Sequence, residues 1–128
     1  RLASVETMDR PKPRGLLRIW RAFGHSYKGF AGAFREEAAF RQELGLAVVL
    51  IPLGFWLGRN GIERLLLIGP VLLLLIVELL NSAIETTVDR VGLERHPLSG
   101  LAKDIGSAAV FLALTLLAAA WLLVILDR

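Results

Sequence analysis

From Ala38 onward the chain reads as long apolar runs separated by short polar breaks. The first run, Leu44 to Leu57, reaches spanning length when its helix starts near Ala38 and takes in Phe40. The second starts at Leu65, proceeds through LLLIGPVLLLLIV and continues past Glu78 to Ala83, so it spans only if polar residues are tolerated inside it. The third, Ile105 to Leu126, carries no charge. Helices of about 20 residues fit the hydrocarbon thickness of a bilayer and satisfy their own backbone groups there. Pro52 and Pro70 fall inside the first two runs, where membrane helices accept proline better than soluble ones. Ahead of them, Leu16, Trp20, Phe23, Tyr27, Phe30 and Phe34 recur at spacings of four and three, one apolar stripe of a helix. Arg18, Arg21, Lys28 and Arg35 fall mostly on the other side, which suits a helix lying in the headgroup layer. The pattern predicts an all-α membrane protein: a flexible tail over 1–15, then one domain over 16–128. That domain has an amphipathic surface helix at about 16–35 and transmembrane helices at about 38–57, 64–88 and 101–126.

Composition agrees: 55% of residues are hydrophobic, and the 21% that are charged lie mostly outside the apolar runs. Mean hydropathy is +0.58. Some 40 residues of mixed polar sequence precede the first long apolar run, so that run is expected to be retained rather than cleaved as a secretory signal. Without cysteine there are no disulfides and no thiolate metal sites. The net charge of +3 says less than the placement of the fifteen Lys and Arg, nine of which precede the first apolar run at Leu44. The positive-inside rule then places the N-terminus in the cytoplasm and the C-terminus outside, with Trp20 at the inner interface and Trp56 and Trp121 at the outer one. No nucleic acid partner is expected.

Within the second apolar run, VELLNSAIETTVDRV carries Glu78, Asn81, Glu85 and Asp89 on one helical face. At about 1.5 Å rise per residue, Glu78 lies roughly 16 Å deeper than Asp89. An acid in hydrocarbon costs on the order of 3 kcal/mol even by the lenient scale, so the stripe must face protein, water or ligand. A polar seam between helices would need hydrogen-bonding groups but not several acids in register. The alternative is a site for a cation or a polar headgroup, open to the cytoplasm. Glu36 and Glu37 form a second acidic group at the start of the first span; if Glu37 approached Glu85, two carboxylates would hold a hard divalent cation and leave its other positions to phosphate oxygens and water.

The connection ERHPLSGLAKDIGSAA complements the stripe. Pro97 and Gly100 are expected to interrupt the helix, and Lys103 with Asp104 places a cation and an acid at the mouth of the third span. A lysine there can hold a phosphate as a point charge or simply snorkel to the interface. His96 alone reads as an exposed loop histidine. Gly106, Ser107, Ala108 and Ala109 let helix backbones approach closely.

EAAFRQE at 37–43, ELLNSAIETTVDRVG at 78–92 and HPLSGLAKDIGSAAV at 96–110 resemble the signature blocks of the bacterial membrane-integral diacylglycerol kinases. The resemblance runs from Arg18 to about Leu123. The small undecaprenol kinases share the fold and part of the pattern, but FRQE and DIGSAA are more similar to the diacylglycerol branch. The resemblance implies a homotrimer in the bacterial inner membrane, with composite active sites at the membrane–cytoplasm boundary. It implies transfer of the ATP γ-phosphate to the sn-3 hydroxyl of diacylglycerol, giving phosphatidate in lipid recycling. Glu78 would be the base, helped by burial. Glu37 and Glu85 would hold Mg2+ between ATP phosphates, and Asn81 would orient them. Lys103 and Asp104 match nucleotide-binding positions, as more weakly do Arg18, Glu94 and His96; Glu43 and Ser107, with Glu78, would meet the lipid. His25, Tyr27 and Arg95 depart from the family pattern, away from the acidic stripe.

The chain has no GxxxxGK[ST] loop and no GxGxxG pattern. Phosphoryl transfer would therefore rest on carboxylates, metal and positioning. A small proton-coupled transporter is the rival reading, opposed by only three spans and a large basic face; a non-catalytic assembly subunit is another, in which Glu78 would be replaceable by Gln.

Overall fold

The computed structural model describes residues 14–128, and among the described residues every regular element is an α-helix. In chain order these are α1 (Leu16–Glu36), α2 (Ala38–Leu57), α3 (Gly61–Val91) and α4 (Pro97–Leu126). The last three are long and apolar enough to cross a membrane. The tail expected over 1–15 lies, apart from its last two positions, outside the described residues.

Two units make up the chain, divided between Gly32 and Ala33. In the first, Gly15 has a φ of 65°, a left-handed conformation that costs glycine little, and its carbonyl accepts from the Ile19 N–H at 3.3 Å as α1 begins. Leu16, Trp20, Phe23, Tyr27 and Phe30 are exposed along α1, as are Arg18, Arg21 and Lys28.

The second unit is a helical bundle in which α3 packs against both α2 and α4. Its core joins Ala47 of α2, Val71 and Leu74 of α3, and Ala113 and Leu117 of α4, flanked by half-buried Leu50, Leu75, Val110 and Trp121. Three helices converge at Gly54, where an added Cβ would stand 3.1 Å from Leu67 Cβ and 3.4 Å from Trp121 Cζ2. Trp121, which the sequence placed at an interface, donates its indole N–H across the bundle to the Leu67 carbonyl at 2.9 Å. That carbonyl lies three residues before Pro70, in the turn that the proline ring crowds.

The α2–α3 turn is cross-linked by polar contacts. Asn60 caps α3, its Oδ1 accepting from the Glu63 N–H at 2.9 Å, and Glu63 Oε1 accepts from the Arg59 N–H at 3.0 Å. Arg64 Nε donates to the Phe55 carbonyl at 3.0 Å, with its guanidinium 5.0 Å from the Phe55 ring centroid. Arg128 closes this end by donating to the Leu57 carbonyl and to Glu63 Oε1, the latter at 3.2 Å.

The α3–α4 connection corrects one expectation. Pro97 and Gly100 do not interrupt a helix: Pro97 opens α4, and Gly100 lies within it. Proline suits the first turn because the N–H it lacks would have had no partner there. His96 is the cap, its Nδ1 accepting from the Leu98 N–H at 3.1 Å. With 31 residues α3 is about 46 Å long, and α4 with 30 about 45 Å, against a hydrocarbon core of about 30 Å. Each therefore extends beyond the apolar layer, and its polar residues mark the end that does so.

Candidate active site

The acidic face of α3 points into the bundle. Glu78 is 3% exposed and Asn81 8%, beside buried Ser82, whereas Ile76, Leu80 and Ile84 of the same helix are exposed. An acid on the opposite face would meet acyl chains at a cost on the order of 3 kcal/mol. The helix thus turns Glu78 and Asn81 into the bundle and leaves apolar side chains on its outer face.

Each acid meets a neighbour from another helix. Glu43 of α2 brings its carboxyl within hydrogen-bonding reach of Glu78, and its Oε2 is buried without a hydrogen-bond partner. Two acids so close, one oxygen lacking a donor, repel one another when both are ionised. Further along, Asn81 Nδ2 donates to Glu85 Oε1 at 3.5 Å. Glu37, at the α2 N-cap, lies near enough to Glu85 to feel its charge. Burial first, then the carboxylates of Glu85, Glu36 and Asp89, push Glu37 above the ordinary value of 4.5, with Arg41 opposing. Arg41 is itself occupied at the α1–α2 junction, where Nη1 donates to the Phe34 carbonyl at 2.7 Å.

From α4, Lys103 Nζ donates to Asp89 Oδ1 at 2.8 Å. Both residues line an open cleft of about 630 Å³ formed by the end of α3, the connection and the first turns of α4, with Gly92, Glu94, Arg95, His96, Pro97 and Gly100 around it. The acidic row therefore leads from buried Glu78, with half-buried Glu43 against it, outward to a cation-bearing cleft.

Of the residues singled out by sequence, the second unit brings Glu37, Glu43, Glu78, Asn81, Glu85 and Lys103 into this row. Glu94 and His96 line the cleft, and His96 has its Nδ1 engaged as a cap. Asp104 and Ser107 are exposed on α4. Arg18 belongs to the first unit and is exposed there. Sequence reasoning missed the partner of Lys103: Asp89 is fourteen positions away and was legible only as part of the stripe. It also missed the cap, although a histidine directly before a proline at a helix start carries that signal.

Among the described residues no group of three or more His, Asp or Glu has the arrangement to hold a metal ion unaided. Glu37 with Glu85 offers two carboxylates. That donor set fits a hard cation that arrives with phosphate oxygens of its own and keeps some of its water, not one caged by protein alone.

Comparison with known proteins gives one answer. The prokaryotic diacylglycerol kinase model matches residues 24–125. The diacylglycerol kinase of Pseudomonas aeruginosa is 61% identical over 113 residues, covering 88% of this chain and 92% of that protein. Those of Haemophilus influenzae, 52% identical over 110 residues, and Escherichia coli K12, 53% identical over 108, cover 86% and 84% of this chain and 93% and 88% of their own lengths. The chain belongs to the prokaryotic diacylglycerol kinase family.

Proposed function

We propose that the chain moves the γ-phosphate of ATP onto the sn-3 hydroxyl of diacylglycerol, giving phosphatidate, at the cytoplasmic face of a bacterial inner membrane. The observation that carries this reading is the buried acidic row on a helix apolar enough to span: Glu78 at 3% exposure beside Glu43, continuing to Lys103 at an open cleft. A lipid hydroxyl reaches such a site from the bilayer and a nucleotide from the water.

The residues divide the work by depth. Glu78 takes the hydroxyl proton as the lipid oxygen bonds to the γ-phosphorus and the β–γ bridging P–O bond breaks, ADP leaving with that oxygen. Glu43 lies against Glu78 and, with Ser107, meets the lipid headgroup. Asn81 orients Glu85. Lys103 exchanges Asp89 for phosphate oxygens as a point charge, and Asp104, Glu94, His96 and Arg18 contribute to nucleotide binding. Glu37 and Glu85 would hold magnesium, which when bound neutralises charge on the phosphates. The N-terminus lies in the cytoplasm, α1 lies along the membrane surface, and protomers assemble as a homotrimer. Support for the assembly is the family resemblance together with apolar side chains left exposed on α3 and α4, such as Leu80 and Phe111. The curated relatives are diacylglycerol kinases, which favours this reading over undecaprenol phosphorylation and over a proton-coupled transporter.

The test is purified protein in mixed micelles with labelled ATP, offered diacylglycerol and undecaprenol side by side. Labelled phosphatidate is the expected product. Glu78→Gln keeps assembly and nucleotide binding while turnover falls by about 10²- to 10⁴-fold, the usual contribution of a general base. Full turnover in that variant removes Glu78 from its role.

A further inference from the structure

Gly106 occupies a place in the site that no chemistry of its own explains. It is one of the buried positions of α4, on the helix face turned to α3, and the three atoms nearest to where its Cβ would stand all belong to the Asn81 side chain. The Asn81 Oδ1 fills that very space, with Cγ at 3.1 Å and Cβ at 3.9 Å from the added atom. The same Oδ1 is buried and accepts no hydrogen bond, while the other end of the amide donates to Glu85 Oε1 at 3.5 Å. The oxygen end of the amide has no hydrogen bond of its own to hold it, so at that end the shape of the space beside Gly106 does the holding.

Resting on the proposed role of Asn81 and Glu85, we infer that Gly106 is a positioning residue of the site: its missing side chain is the slot that receives the Asn81 carbonyl and thereby turns the amide N–H toward Glu85. A methyl at 106 meets the far end of one flexible side chain, not the backbone of α3. The Asn81 amide therefore yields before the helices separate. When it yields, Glu85 loses the donor that fixes its carboxylate. Partners of this kind, one bond removed from a metal ligand, typically alter metal affinity by about 10- to 100-fold.

The experiment compares full-length wild type, Gly106→Ala, Asn81→Ala and the double variant in detergent micelles. With Asn81 present, Gly106→Ala raises the Mg2+ concentration for half-maximal activity by about tenfold or more and lowers Tm, leaving the KM for diacylglycerol unchanged. In the Asn81→Ala background the slot is empty, and Gly106→Ala leaves Tm level or raises it, because alanine favours helix over glycine. A wild-type Mg2+ titration in Gly106→Ala overturns the inference. So does an equal fall of Tm in both backgrounds, the mark of a helix-packing glycine. If Gly106→Ala alone does not fold, the double variant decides: folded, it supports the slot; unfolded, it overturns it. The Tm cycle needs no turnover, so it still judges the Gly106–Asn81 contact if Glu78→Gln proves fully active and the kinase reading of the row falls.

Discussion

Lys103, assigned to phosphate in the proposed reaction, holds Asp89, with side chains 43% and 49% exposed. Exposed pairs are screened by water and contribute little, so Asp89 is a weak competitor for the ammonium group. Asp89→Asn should leave Tm nearly unchanged and lower the KM for ATP modestly, because the ammonium group is then free for phosphate. An unchanged or higher KM in steady-state assays counts against Lys103 as a phosphate ligand. Glu37 gives a pH dependence at the same scale. Its proton is retained to higher pH than in an unfolded chain, first by burial and then by Glu85. The stability it contributes is present below its unfolded value and is lost as pH rises through its folded value. Cation binding has the opposite sign, since the proton must leave first. If Glu37 holds magnesium as proposed, the Mg2+ requirement should rise as pH falls, and Glu37→Gln should flatten that rise. A titration that keeps the same slope in the variant would assign the proton elsewhere.

Among the elements, α3 was the most legible in sequence. Its apolar outer face and acidic inner face both follow from a period near 3.6, so the row from Glu78 to Asp89 could be drawn before any packing was known. What faces the row could not, because Glu43, Lys103 and Gly106 come from helices whose rotation is set by tertiary packing. The approach of Glu37 to Glu85 was posed from sequence only as a condition. Both ends of α3 carry signals of different clarity: Asn60 is a plain N-cap with Glu63 in the first turn, while Gly92 leaves the helix in extended backbone that any residue adopts. Asn60→Ala should cost about 1 kcal/mol, or about 3 °C in Tm, without changing KM for ATP, since the cap lies at the opposite end of α3 from the cleft. A changed KM with unchanged Tm would mean that the turn communicates with the site.

At the scale of the molecule, orientation is the property that the charge pattern argues and the packing alone does not decide. The chain has no cysteine, so a single introduced thiol is the sole labelled group. Leu93→Cys, in the α3–α4 connection, should react with an impermeant maleimide only from the cytoplasmic side, and Arg59→Cys, in the α2–α3 turn, only from outside. The reverse pattern, scored in right-side-out and inverted vesicles, would turn the whole protein over and place the cleft away from cellular ATP. The two ends of the bundle also differ in how they are fastened. Around Arg128, Glu63, Arg59, Arg64 and Asn60 a mesh of polar contacts ties α2, α3 and the end of α4 together. At the other end one half-exposed ion pair bridges α3 to α4. A bundle clamped at one extremity and latched by a single exposed pair at the other is built like tweezers: if ATP enters as proposed, it enters at the tips with the fewest cross-links.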